Sequence, residues 1–596
     1  MNSKTTGIWF VIAAALLAFI FVFERYLRPA AAGPTLLLPS LRAAAVTSVQ
    51  VYPTGAPEIS ADRARGGWLL TRPVSYPAQT AAIEALLDAL QKISPLRITA
   101  AELHEHPNYE ADFGFEHPQA RLVIHADGQS WQLEVGNKTA PGDQVYLRVV
   151  AVGGVDVADA AWLNLLPHAA DEWRDTALVN AGQNDFNWIV LTNNAKGAAI
   201  ELRRDPTNHL WRIIRPLPAR ADTERITGAL QRLETVSVTR FITDDSNADL
   251  TAFGLQPADL DLWLGRGTNF LAALHVGKSP TNDATQVYAR REGWNTVVTT
   301  AREPLALWRG VLNDFRDPRL FELTAPVAEI EVRGQTNFIL RERGSNDWQV
   351  VGEKFPVDAG SVQQFIRDLA GLRIADFVKD VPTAADLAAY GLAAPAREII
   401  LRSKAGDTNA VIAELDFGAV QTNGIFVRRP DENFIYAVSL PDFRRVFPDD
   451  WQFRDRRVWD FNVDDVAQIT VHQGGKTRQL VHNGPGKWSL ATGSQGLIED
   501  KNIEQTVEMS RQLTATLGWF AHNFNEADYG FSTNNLQITF ELKNGEKHAV
   551  DFGGEFANRQ TALAAVTLDG ARWGFVFPPA LYQLVTSYLA IPANAP

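Results

Sequence analysis

The stretch Phe253-Gly254-Leu255-Gln256-Pro257 decides how the chain is read, because it returns in variant form at a fixed distance. It stands as Phe113-Gly114-Phe115-Glu116-His117-Pro118 upstream and as Tyr390-Gly391-Leu392-Ala393-Ala394-Pro395 downstream. A fourth copy, Tyr529-Gly530-Phe531, lacks the proline. The spacings are 140, 137 and 139 residues. Before each copy lies a tryptophan in a short apolar context: Trp68, Trp211, Trp348 and Trp488, which are 143, 137 and 140 residues apart. After each lies an apolar-Gly pair: Val135-Gly136, Val276-Gly277, Phe417-Gly418 and Phe552-Gly553. Three independent markers keep one period, which identifies four tandem copies of one repeat.

Between the tryptophan and the aromatic-Gly phrase, the apolar residues follow a helical period. Ile83, Leu86, Leu87, Leu90 and Ile93 form one stripe, repeated by Ile226, Ala229, Leu230, Leu233 and Val236 and by Val362, Phe365, Ile366, Leu369 and Leu372. In the fourth copy the slots hold Ile503, Thr506, Val507, Ser510 and Leu513, a diluted stripe. Asp222, Asp358 and Asp500 stand at the helix starts, where a carboxylate suits the free amides. Around the helix the chain alternates in period two. Arg121 to His125 and Trp131 to Val135 flank Ala126-Asp127-Gly128, a hairpin signal, and Leu536 to Leu542 alternates before Lys543-Asn544-Gly545. A short helix closes each repeat, as at Trp162 to Pro167 and around Trp308. The expected fold class is α+β: one N-terminal transmembrane helix, then four tandem repeats, each a mainly antiparallel sheet with one long and one short helix. The expected division is a short tail 1–6, an anchor 7–27, a linker 28–43, and repeats at 44–180, 181–323, 324–462 and 463–596.

The anchor is read from Gly7 to Phe23, 17 uncharged and almost wholly apolar residues, preceded by Lys4 and followed by Glu24, Arg25, Tyr26 and Arg28. That length is at the lower end of a bilayer-spanning helix and above a signal-peptide core. The expected location is a bacterial inner membrane, crossed once, with the bulk of the chain in the periplasm. The chain has 596 residues, too many for one core, and its 16 Trp and 31 Phe argue against disorder. A net charge of −13 without a basic stripe argues against nucleic acid as a partner. With no cysteine at all, thiolate zinc sites, Fe–S clusters and cysteine nucleophiles are excluded.

Four features carry possible chemistry. Gly277-Lys278-Ser279 looks like the end of a phosphate loop, but position 272 is Ala where that loop needs Gly, and the matching turns Gly136-Asn137, Gly418-Ala419 and Gly553-Gly554 make it a repeated strand-end turn. His104, Glu105, His106 and nearby His117 are the densest potential metal ligands, yet two histidines two apart do not share a helix face. Trp173-Arg174-Asp175, Phe315-Arg316-Asp317 and Phe453-Arg454-Asp455 mark three joints and read as ion pairs or caps fixing one repeat against the next. Arg148, Arg290 and Arg428 follow Tyr146, Tyr288 and Phe426 by two residues and share a strand face, either an exposed sheet face or an anion- or partner-binding one. The expectation is no catalytic, cofactor-binding or metal-binding residue, no cofactor, and no enzyme activity.

The order of a Trp strand, a helix, an aromatic-Gly-Leu phrase with a nearby Pro, a strand and a Gly turn resembles the bacterial family called domain of unknown function 4340. Phe253 to Pro257 and Tyr390 to Pro395 carry the likeness best, and it covers nearly all of the chain after the anchor. The resemblance implies an envelope protein often encoded beside ABC transporter components of the gliding-motility type, and it implies no activity. The expected function is therefore a membrane-anchored accessory or scaffold subunit of such a transporter, with its permease or auxiliary subunit as partner. A glycan- or polymer-binding module and an envelope hydrolase are the alternatives; the hydrolase would show one repeat with convergent polar residues that the others lack.

Overall fold

A computed structural model describes residues 3–22, 35–179, 185–405, 408–555 and 562–591. Helix α1 (Ser3–Val22) covers most of the apolar run. The expected anchor continues to residue 27, and its residues 23–27, like residues 28–34 of the linker, lie outside the described residues. Among the described residues no helix is long and apolar enough to cross a membrane.

The first repeat sets the pattern. Its strands are β1 (Val46–Pro53), β2 (Ile59–Ala64), β3 (Gly67–Arg72), β4 (Tyr76–Ala78), β5 (Leu96–Ile98), β6 (Ala120–Ala126), β7 (Gln129–Lys138), β8 (Gln144–Val149) and β9 (Val155–Asp159), with helix α2 (Thr80–Lys92) between β4 and β5. They form one antiparallel sheet in the order β4-β3-β2-β1-β6-β7-β8-β9-β5. Two four-strand meanders thus join through β1 and β6, and the chain leaving α2 returns to cover the far edge. The second repeat forms a nine-stranded sheet of the same order, and the third and fourth form eight-stranded sheets lacking the equivalent of β4. Four sheets, each with one long helix, confirm the repeated architecture.

One face of each sheet is packed under the long helix. Ile83, Leu86, Leu87 and Leu90 of α2 are all 0% exposed, and burying a side chain of this size contributes about 1.5–3 kcal/mol. The repeat tryptophans sit beneath the same helix: Trp68 donates to Glu84 at 2.8 Å and Trp488 to Glu504 at 2.8 Å. In the fourth helix (Asp500–Ser510) the diluted stripe stays buried because its hydroxyls find partners. Thr506 donates to the Asn502 carbonyl and Ser510 to that of Thr506, each at 2.7 Å. Asp222 and Asp358 cap their helices, accepting from the amides of Arg225 and Gly360 at 2.9 Å. Asp500 instead lies inside the first turn and accepts from the Trp488 amide at 3.2 Å, the role Thr223 plays for Trp211 at 2.8 Å.

The chain divides into two compact bodies, residues 1–316 and 317–596. Each body holds two repeats. In the first, Arg174 is 2% exposed and reaches Asp244 of the second repeat at 2.6 Å. Its guanidinium lies over Tyr76 and Phe241. In the second body Arg454 reaches Asp569 at 3.0 Å and lies over Trp573. The aspartates of the three triplets accept from the amide two residues on: Ala177 at 3.0 Å, Arg319 at 3.0 Å and Arg457 at 2.8 Å. Within each body the triplet therefore locks its two repeats together, with Arg174 or Arg454 as the cross-joint pin, and in all three triplets the aspartate shapes the turn.

Candidate functional site

The aromatic-Gly phrase and the strand-end glycine explain each other. Gly114, Gly254, Gly391 and Gly530 all have φ between +67° and +81°, the left-handed conformation that glycine adopts without strain. The turn directs the preceding carbonyl at the end of the neighbouring strand, where it accepts from the amides of Asn137 (2.7 Å), Lys278 (3.1 Å) and Ala419 (2.8 Å). A Cβ on Gly136, Gly277 or Gly418 would collide with that carbonyl oxygen. Gly277-Lys278-Ser279 is thus the second copy of a structural clasp. His104, Glu105, His106 and His117 are exposed, and among the described residues no three His, Asp or Glu side chains gather as a metal would require.

Immediately before each strand-end glycine pair, on the sheet face away from the helix, sits a polar residue: Glu134, His275, Asp416 or Asp551. The strand register extends each into a row of four. The rows are Tyr52–Arg121–Glu134–Arg148, Thr192–Asp261–His275–Arg290, Arg333–Glu398–Asp416–Arg428 and His472–Gln537–Asp551–Ala565. The arginines at 148, 290 and 428 are the last column of this pattern. Side chains alternate across a strand, so all four members of a row share the open face.

In three repeats an acidic member of the row binds a basic or imidazole neighbour in the same row. Glu134 is held by Arg121 at 3.3 Å and Arg148 at 2.6 Å, and Arg148 also reaches Glu110 at 3.0 Å. In the second repeat His275 stands between Asp261 (2.5 Å) and Glu292 (2.6 Å). In the third, Arg333 meets Glu398 at 3.5 Å and Arg428 meets Asp416 at 3.2 Å. Burial raises the Asp416 carboxyl to about 6; Arg428 opposes the shift, and Glu414 and Glu398 add to it. Arg148 and Arg428 are therefore occupied by carboxylates, whereas the Nε of Arg290 is buried without a hydrogen-bond partner.

The fourth row is different. Gln537 and Arg572 both donate to the Asp551 carboxylate, and Arg572 also donates to Glu526 at 2.8 Å. Arginine is absent from the row itself. Ala565 and the adjacent Gly574 are small, and Phe520 and Phe524 pack over Gly574. Beside them the open face holds a cleft of about 460 Å³, walled by the row residues His472, Gln537 and Asp551 and by Asn535, Thr567 and Arg572. Sequence reading found one column of the pattern. Alignment on the residue two before the strand-end glycine, polar in all four copies, exposes a second column.

The model of one family, described as a domain of unknown function (DUF4340), matches residues 68–209, 211–395 and 348–518. The chain belongs to that family. The three matched stretches begin at Trp68, Trp211 and Trp348, so the family pattern keeps the register of the repeats. DUF4340 carries no assigned activity in its description. No curated protein and no solved structure matches the chain.

Proposed function

We propose that the chain is a non-catalytic, membrane-anchored protein of the bacterial envelope, with its repeats in the periplasm. In this reading it is an accessory or scaffold subunit of an ABC-type transporter or a related complex. The observation that carries it is that the polar groups recurring in register bind one another, Glu134 with Arg121 and Arg148, His275 with Asp261, Asp416 with Arg428 and Asp551 with Gln537 and Arg572, and so hold the sheets and leave broad surface rather than a reactive centre. Anchoring draws support from α1. It has no charged residue after Lys4 and leaves Trp9, Phe10 and Leu17 67%, 78% and 71% exposed, an apolar surface that favours contact with lipid or protein. The transporter as partner is what the family resemblance implies; the family description itself names no partner.

The test is extraction of the full chain from bacterial membranes in a gentle detergent, followed by affinity capture. Permease and ATPase subunits are expected to accompany it, and removal of residues 1–34 is expected to release the remainder from the membrane. Capture of the chain alone, or its release from membranes by high salt, overturns the reading.

A further inference from the structure

We infer that the cleft of the fourth repeat is a binding site for a neutral, hydroxyl-rich ligand of the saccharide class. Its volume, about 460 Å³, lies within the range of small-molecule sites, roughly 300–1,000 Å³, with room for a mono- or disaccharide. The charges around it balance: Lys476 and Arg572 stand against Glu526 and Asp551. Arg572 is clamped between the two carboxylates, so it offers no surplus positive charge to a phosphate or a carboxylate ligand. The apolar members of the wall, Phe531 and Leu536, are 7% and 9% exposed and give an acyl chain or apolar peptide little to rest on.

What remains is the set of groups that a polyol needs. Ser532, Thr533 and Thr567 present hydroxyls, Asn535 and Gln537 planar amides, and His472 an imidazole. These residue types can donate and accept, as can each hydroxyl of a sugar; Asn535, which gives both N–H groups to carbonyls and accepts from Ser532, shapes the rim, and Thr533, Thr567, Gln537 and His472 are the partners offered to the ligand. The groups are also fixed in place. The Gln537–Asp551–Arg572–Glu526 chain runs across three strands and the preceding turn. Asn535 is held by the carbonyls of Gly530 (2.7 Å) and Phe552 (3.0 Å), and His472 by Thr477 at 2.8 Å. Preorganised polar groups lose less on binding than mobile ones. The comparison within the molecule supports the assignment: the corresponding positions in the first repeat carry Arg121 and Arg148, both paired with Glu134. The fourth repeat has Gln537 and Ala565 there and lacks the proline of the other turns, so its rim bears Ser532 and Thr533 instead. This inference is independent of the anchoring and transporter reading.

The test is saturation-transfer NMR and calorimetry on the full chain in a detergent without a sugar headgroup. The probes are glucose, N-acetylglucosamine, maltose and chitobiose up to about 10 mM, ten times a millimolar Kd, with inorganic phosphate as the charged control. At least one saccharide is expected to bind and phosphate is not. Gln537→Arg recreates the Arg–carboxylate neighbours of the first repeat, so it is expected to leave the unfolding transition in place while weakening binding about tenfold or more. His472→Ala, at an exposed position, is expected to weaken binding severalfold. Absence of saccharide binding by the wild-type chain, wild-type binding by a folded Q537R, or phosphate binding in place of sugar each overturns the inference. None of these results depends on whether transporter subunits are captured with the chain.

Discussion

At the residue scale, the repeat signature is a matter of close approach. Gly277 ends its strand where the Phe253 carbonyl arrives, and a methyl group there has no room. Gly277→Ala is expected to cost about 1–3 kcal/mol, the usual range for overpacking against atoms that cannot move away. Lys278→Ala, which removes the side chain a phosphate loop would require, is expected to stay within about 0.5 kcal/mol of wild type. Urea unfolding of the two variants separates the clasp from a nucleotide site. Asp416 gives a second expectation with a definite sign. Its folded pKa, raised by burial from an ordinary 3.8 to about 6, means that the folded chain holds this proton more tightly than the unfolded chain. The resulting stability is fully present below about pH 4 and is lost as pH rises through about 6. Asp416→Asn removes the titrating group, so melting temperatures measured from pH 4 to 6 are expected to fall less steeply with rising pH than in wild type. Identical slopes in the two proteins would contradict the shift.

At the scale of elements, the sequence is legible wherever a period or a forced conformation leaves a mark. The stripe from Ile83 to Leu90 reads as a buried helix face because its spacing admits little else, and Asp127-Gly128 reads as a hairpin because few residue pairs accept two positive φ angles, here 47° and 76°. The polar rows were hidden for a physical reason: a row is assembled across four strands, and register is not written in any one of them. The joints lie between these cases. Repetition of aromatic-Arg-Asp announced a structural role, but Asp244 and Asp569, the partners of Arg174 and Arg454, have no recurrent sequence mark. The joint makes its own prediction. Arg174→Ala leaves Asp244 with only the Thr296 hydroxyl as partner and removes the guanidinium from Tyr76 and Phe241, a loss of about 3 kcal/mol, at the low end for buried pairs because Asp244 is 37% exposed. Arg174→Lys keeps the charge without the planar stack and is expected to recover only part of it. Hydrogen exchange locates the damage: the amides of Leu178 and Val238, bonded across this joint to Val236 and Thr176, should lose protection before those of β6 and β7.

At the scale of the whole molecule, four repeats are organised as two bodies, and this sets how the chain should come apart. In a tandem array, stability is the sum of each repeat and its interfaces with its neighbours. Within residues 1–316 the interface between repeats is substantial: Tyr76 meets Phe241 and Trp294 edge to face, Arg174 pairs with Asp244, and Arg291 pairs with Asp175 at 3.2 Å. Within residues 317–596 the counterpart is built by Phe355, Arg454 and Trp573, with Asp569 paired to the arginine. Tyr76 is 1% exposed and Trp573 1% exposed, so a cut between repeats of one body would bare large aromatic rings, whereas a cut at 316/317 follows the boundary of compactness. Fragments 35–316 and 317–596 are therefore expected to fold when expressed separately, each with one cooperative urea transition and near-UV dichroism from its buried tryptophans. A fragment of residues 35–179, which keeps Tyr76 and Arg174 without Phe241, Trp294 or Asp244, is expected to be much less stable or to aggregate. If 35–179 proved as stable as 35–316, the single repeat would be the folding unit, and the pairing of repeats would be a matter of surface contact alone.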